Sequence, residues 1–363
     1  MRLPAAYVRA SLSPSRAADF KACPLLYRFR TIDRLPEPAS RAATRGTVVH
    51  AVLERLFDVP PEERTLSRAR DLVEPVWQEL LERAPELARL FPHELRPASL
   101  PAAHGQLALE FPTRREAELA SSPPDSTGNV QPVSAADGRE TEAEPNQTAE
   151  TPGVSSSLAP PTKRDDVLDT GSFAAWLESA RDLVGNYFVL EDPTRLAPAA
   201  REELVEVVVD GLRLRGYVDR LDVSADGDIR IVDYKTGSIP RETFEAKALF
   251  QMKFYALVLW RTRGVVPRQL KLVYLADRDT LTYSPHADEL ARFERTLHAI
   301  WTAITRAAES GEFRPSPGPL CDWCSHRAIC PAFGGTPPPL PSNAADTICA
   351  DPTDERPLVL AEP

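Results

Sequence analysis

Asp219, Asp233 and Lys235 are the residue types that metal-assisted hydrolysis of a phosphodiester requires. That reaction must stabilise charge on the phosphorus oxygens and activate a water, and Mg2+ held by hard carboxylate oxygens does both. Asp233 and Lys235 belong to Asp233-Tyr234-Lys235, which closes a mostly apolar run over 229–232. Strand alternation puts Asp233 and Lys235 on one face and Tyr234 on the other. Thr236-Gly237 ends the strand directly after the pair. Charges at the end of a buried strand need a reason beyond solvation. Asp219 lies upstream, in Gly216-Tyr217-Val218-Asp219-Arg220-Leu221-Asp222. A two-residue turn at Asp226-Gly227 would set Asp219 opposite Tyr234, with the two acids pointing to opposite sides. A three-residue loop over 225–227 sets Asp219 opposite Asp233. Its third position wants a left-handed residue, and Gly227 stands there. The turn chemistry therefore favours the pairing that builds a two-carboxylate site.

Three antiparallel strands are expected to carry these residues: 203–209, 212–223 and 228–236, with Asp210-Gly211 as the first turn. A helix over 173–189 precedes them. A long helix over about 243–263, an apolar strand over 269–276 and a helix over 286–310 follow. Nearer the N-terminus, Ser13-Pro14 reads as an N-cap with proline at the first helical position, opening a short helix toward Cys23. Residues 45–57 read as a helix with Val49, Leu53, Leu56 and Phe57 on one face and His50 at that face's edge. Residues 66–90 read as another amphipathic helix or helix pair. In Tyr27-Arg28-Phe29-Arg30 the rings and arginines could grip nucleic acid by stacking and phosphate contact. The same pattern also fits a helix with buried rings and solvated arginines. The fold class is α/β, with a mixed central sheet flanked by helices.

Residues 116–170 are rich in Ser, Pro, Glu, Thr and Ala with almost no aromatics. Such a composition buries too little apolar surface to offset the entropy of ordering, so a disordered acidic insertion is expected there. The tail over 334–363 reads the same way. The domain reading is a helical part over 1–115, holding Cys23 and His50, the insertion over 116–170, a core with the C-terminal cysteines over 171–333, and the tail.

Gln251 and Tyr255 lie four apart on the long helix and share a face. Tyr255 fits packing beside Phe250 and Phe254; Gln251 fits an apolar helix less well. Taken together, RGTVVHAVLE around His50, GYVDRLD, DYKTG and QMKFYAL resemble the RecB-like branch of the PD-(D/E)XK nucleases in order and spacing. The resemblance covers the chain outside the insertion and the tail. It implies a restriction-endonuclease-like core. It implies that His50, Asp219 and Asp233 bind Mg2+ or Mn2+, with the Tyr234 carbonyl assisting. Lys235 would orient the attacking water and stabilise charge, and Gln251 and Tyr255 would support the site and contact DNA. The activity implied is an exonuclease on single strands or ends, serving DNA repair or recombination.

Cys321-x2-Cys324-x5-Cys330 is a tight thiol cluster, and Cys23 is the other cysteine in a region expected to fold. Spacing alone puts Zn2+ ahead. The resemblance extends to iron–sulfur members of the branch, which include the AddB nuclease and the CRISPR-adaptation nucleases. It implies a [4Fe–4S] cluster on Cys23, Cys321, Cys324 and Cys330 that clasps the chain ends together. Cys349, in the expected tail, has no role in this reading.

The net charge of -10 argues at first against a nucleic-acid partner. Its distribution removes the objection. Residues 116–166 hold ten acids against three bases, and 331–363 five against one, whereas residues 1–50 hold nine bases against three acids. Prolines number 36, about twice the usual share, which fits long irregular segments. No secretory signal or apolar stretch of spanning length is present, so a cytoplasmic protein without membrane contact is expected. No GxxxxGK[ST] phosphate loop is found, so any unwinding would need a separate helicase. A DNA-binding scaffold without chemistry is the alternative function, but a scaffold has no need of three convergent ligands and a lysine. A zinc-binding interaction module would account for the cysteines alone.

Overall fold

The computed structural model describes residues 10–92, 94, 171–239 and 242–349. The expected insertion over 116–170 and the end of the tail lie outside these residues. Six strands form one mixed sheet: β1 Ala10–Leu12, β2 Ala200–Val209, β3 Leu212–Val223, β4 Ile229–Lys235, β5 Gln269–Tyr274 and β6 Asp279–Tyr283. The helices are α1 Pro14–Ala22, α2 Pro24–Tyr27, α3 Arg41–Leu56, α4 Leu66–Asp71, α5 Val73–Arg83, α6 Phe173–Leu190, α7 Glu242–Arg263, α8 Ala287–Ser310 and α9 Ala344–Cys349.

β3 organises the sheet. β2 pairs antiparallel along one edge of it, through Asp210-Gly211, both with positive φ as a type I′ turn requires. The other edge is shared. β1 takes its start in parallel, Ala10 to Leu12 against Leu212 to Leu214, and β4 takes its end antiparallel, from Arg220↔Val232 to Val223↔Ile229. Between them the middle of β3 has no strand neighbour on that edge among the described residues. The β3–β4 connection is the expected loop over 225–227, closed by Ser224 N–H to Asp228 O at 2.9 Å, and Gly227 has φ +84°. β5 then runs parallel to β4 and β6 antiparallel to β5.

Alternation divides the core into two layers. Ile229, Ile231, Leu270, Leu272 and Tyr274 face a cluster that includes Phe254, Leu257 and Leu297 of α7 and α8. Val232, Tyr234, Val273 and Leu275 face a second cluster with Val52, Trp77 and Trp176 of α3, α5 and α6. Helix starts follow capping chemistry: Ser13 accepts from Arg16 N–H, Ser40 from Ala43 N–H and Ser172 from Ala175 N–H. Because Ser40 is the cap, α3 begins earlier than position 45.

Two expectations, both about the tail, need correction. The tail is not featureless over 334–349: α9 forms there, and Ala344 and Ile348 are buried against the α7–α8 layer. A short polar stretch carrying two apolar residues on one face can order once a large core offers them a seat. Cys349 packs against that same core. Of the two readings left open for Tyr27-Arg28-Phe29-Arg30, buried rings hold: Tyr27 and Phe29 are 0% and 2% exposed and closed to bases.

Candidate active site

The gap between β1 and β4 opens into a cleft of about 960 Å³. Asp219, Asp233, Lys235, His50, Gln251 and Tyr255 all line it. The register that places Arg220 opposite Val232 continues to Asp219 and Asp233. The backbone ladder stops there, and the Asp219 side chain replaces it: Oδ2 accepts the Tyr234 N–H at 2.7 Å. α3 passes over the end of β4 and delivers His50. Its Nε2 lies 3.0 Å from the Tyr234 carbonyl oxygen, and its Nδ1 lies 3.4 Å from Asp219 Oδ2.

A third acid joins them. Glu202 of β2 faces Asp219 across the first hairpin, between the pairs Arg201↔Arg220 and Glu203↔Val218. Its Oε1 lies 3.7 Å from His50 Nδ1, and its side chain is 6% exposed. Its φ of +42° is a left-handed conformation that a non-glycine residue adopts only at a cost, held here by the surrounding sheet. His50, Glu202 and Asp219 each offer a ligand atom within 4.8 Å of the others, the one such group among the described residues. The sequence reading began β2 at position 203 and passed over Glu202. The signal was available, since a two-residue turn at Asp210-Gly211 sets position 202 opposite Asp219.

Asp233, only 2% exposed, is engaged differently. Its Oδ2 lies 2.6 Å from Lys235 Nζ. Lys235 also donates to Gln251 Oε1 at 3.1 Å, and Gln251 Nε2 donates to Tyr255 Oη at 3.0 Å. α7 can approach β3 closely because residue 216 is glycine: a Cβ there would lie 2.8 Å from the Tyr255 ring.

A family model describing the PD-(D/E)XK nuclease superfamily matches residues 11–134 and 133–331. This chain belongs to that superfamily. Among curated proteins, the nuclease is 28% identical over 134 residues to the Gene 69 protein of Mycobacterium phage L5, spanning 35% of this chain and 42% of that protein. It is 31% identical over 139 residues to the Gene 69 protein of Mycobacterium phage D29, spanning 37% and 48%. The matches thus reach less than half the length of either relative. A crystal structure from Eubacterium rectale, provisionally described as an exonuclease, superposes with a TM-score of 0.42 at 12% identity over 90% of this chain and 93% of that one.

Members of the superfamily use divalent metals, and the nuclease's trio fits one: two carboxylates supply hard oxygens and an imidazole supplies nitrogen. The electrostatics of the bare site agree. Burial opposes charge on His50, yet Asp219, Glu202 and Asp233 overcome it and hold its pKa up at about 9. Burial pushes Asp219 up to about 7; Asp233 and Glu202 add to the rise, against His50 and Lys235. Burial also works against charge on Lys235, but Asp233 and Asp219 prevail and raise it. Three clustered acids beside His50 and Lys235 offer oxygens that could hold an added cation.

The cysteines lie on segments that meet. Cys23 Sγ accepts the Ser316 N–H at 3.4 Å, and Cys321 Sγ accepts the Gly318 N–H at 3.3 Å. Nearby, His326 Nε2 lies 2.9 Å from Glu37 and its ring 5.3 Å from Phe29. No helix among the described residues is long and apolar enough to cross a membrane.

Proposed function

We propose that this nuclease hydrolyses phosphodiester bonds of DNA with Mg2+ or Mn2+, acting as an exonuclease on single strands or ends. The carrying observation is the convergence of His50, Glu202, Asp219, Asp233 and Lys235 at one wall of an open cleft. His50, Asp219 and Glu202 would hold the ion, with Asp233 and the Tyr234 carbonyl at its edge. The chemistry such an ion supplies when bound is charge neutralisation at the phosphate and activation of water. Lys235, fixed between Asp233 and Gln251, places a positive charge where charge develops on the phosphate. Gln251 and Tyr255 hold Lys235 in that position. Arg30 and Arg34 line the same cleft and offer phosphate contacts.

A role in DNA repair or recombination, with unwinding supplied by a separate helicase, fits this chemistry. Cys23, Cys321, Cys324 and Cys330 would hold a [4Fe–4S] cluster; two sulfurs already accept backbone N–H bonds, and the segments they join already touch. A clasp of this kind closes a long loop and restricts the unfolded chain. Replacing Cys324 with Ser is expected to cost both brown colour and stability. Protein purified without oxygen that is colourless and holds zinc would overturn the cluster.

The decisive assay is Mg2+-dependent digestion of end-labelled single- and double-stranded DNA by wild type and Asp233→Ala. Loss of stepwise digestion in the variant supports the proposal. Equal activity of both proteins, or no activity of either with any divalent metal, overturns it.

A further inference from the structure

Tyr234 touches the site through its main chain, and its ring stands edge-on to that of His50 with centroids 6.0 Å apart. Its N–H holds Asp219 Oδ2 at 2.7 Å and its carbonyl oxygen lies 3.0 Å from His50 Nε2. Both are made where the β3–β4 ladder has already ended, so β3 offers no backbone bond to fix Tyr234. On one side β5 holds it, opposite Val273. What else sets its place lies on the far face of the sheet.

There the phenol of Tyr234 accepts from Arg220 Nη1 at 2.7 Å. Arg220 is 1% exposed, and it is gripped in turn. Glu191, just after α6, accepts from both terminal nitrogens at 2.6 and 3.0 Å, and Asp222 lies 3.2 Å from Nε. Glu191 also accepts from Lys271 Nζ of β5 at 2.7 Å. The network thus spans α6, β3, β4 and β5. A solvated arginine would serve none of these bonds, and a purely structural strand would be served as well by an apolar residue of similar volume.

We propose that Arg220 and Glu191 are positioning residues for the metal centre: they grip the Tyr234 phenol, and the Tyr234 main chain in turn holds Asp219 and His50 at coordinating separation. The inference rests on the metal-dependent reading above. Coordination tolerates displacements of only a few tenths of an ångström, so a strand end freed to shift loosens two ligands at once.

The test is Mn2+ affinity, measured by titration calorimetry and by the electron paramagnetic resonance of bound Mn2+, without DNA. Tyr234→Phe removes one hydroxyl and leaves the ring in place; Glu191→Gln keeps the shape of the network and removes its charge. Thermal unfolding accompanies both, and binding is read where each variant is fully folded. The expected result is a loss of Mn2+ affinity of about tenfold in each variant, with a broadened resonance. Wild-type affinity and line shape in folded Tyr234→Phe overturn the proposal while leaving the metal site intact. Absence of Mn2+ binding in the wild type itself, matched by Asp219→Asn, overturns the underlying metal reading as well.

Discussion

β3 and β4 carry a cluster of charge on each face of the sheet. On the far face, Arg220 and Lys271 meet Glu191 and Asp222 in direct pairs, with Arg230 closing on Asp222 at 2.7 Å. On the cleft face, Glu202 and Asp219 stand around His50, and Asp233 pairs with Lys235. The same residue types behave in opposite ways. Burial would raise Glu191, yet its bonds to Arg220 and Lys271 hold it down at about 2. Burial with incomplete compensation leaves Asp219 up at about 7. One face uses its charges to hold the strands; the other leaves its acids less completely paired, with oxygens an added cation could take. Depth of burial therefore says little about function, while the balance of charge says a great deal.

Several substitutions break this contrast. The largest effect is expected from Asp219→Asn, with DNA cleavage falling on the order of 10³-fold. The same change should raise the thermal midpoint of metal-free protein at pH 8. A carboxyl whose folded pKa is raised loses native stability as pH climbs through that pKa, and the amide has no such charge. A lower midpoint would show that the cleft acids are balanced after all. Arg220→Ala on the other face should destabilise by about 3–5 kcal/mol, because Glu191 is left buried without its main partner; urea unfolding measures it. Glu191 supplies the pH test. Its folded pKa lies below the ordinary value, so its stabilisation is complete above about 4.5 and fades as pH falls toward 2. The stability gap between wild type and Glu191→Gln should shrink over that window, and a gap constant with pH would remove the ionic account.

Two glycines sharpen the comparison further. Gly216→Ala puts a methyl 2.8 Å from the Tyr255 ring and 3.2 Å from Pro14, so a cost of about 1–3 kcal/mol is expected. Its damage should fall on the cleft face, as lower turnover with the far network undisturbed. Gly227→Ala meets no neighbour and pays only for its φ of +84°, about 1 kcal/mol. Cleavage should be unchanged, since the loop sets register without touching either cluster.

Local chemistry made much of this legible in the sequence. The helix caps, both Asp-Gly turns and the period-two strands are short-range signals, and the choice of a three-residue loop followed from Gly227 alone. What escaped was long-range or slight. β1 is three residues long, and its partner stands some 200 positions away. α9 has only Ala344 and Ile348 to bury, and no periodicity announces that. Glu202 looked like one of two adjacent acids, and only counting back from the Asp210-Gly211 turn sets it opposite Asp219. Arg220 was quoted within a motif and left without a task, because its partners come from α6 and β5.

The meeting of the chain ends has a consequence in time. β1 waits for β3 before it can join the sheet, and Arg16 of α1 reaches the Ile348 carbonyl oxygen of α9. Thr347 of α9 lines the same cleft as Ser13 and Pro14, far upstream in the chain. A ribosome builds from the N-terminus, so the wall at Thr347 is the last to emerge. The three acids and the lysine are all translated more than 110 residues earlier, yet the groove that would present a strand to them lacks its Thr347 side until α9 docks.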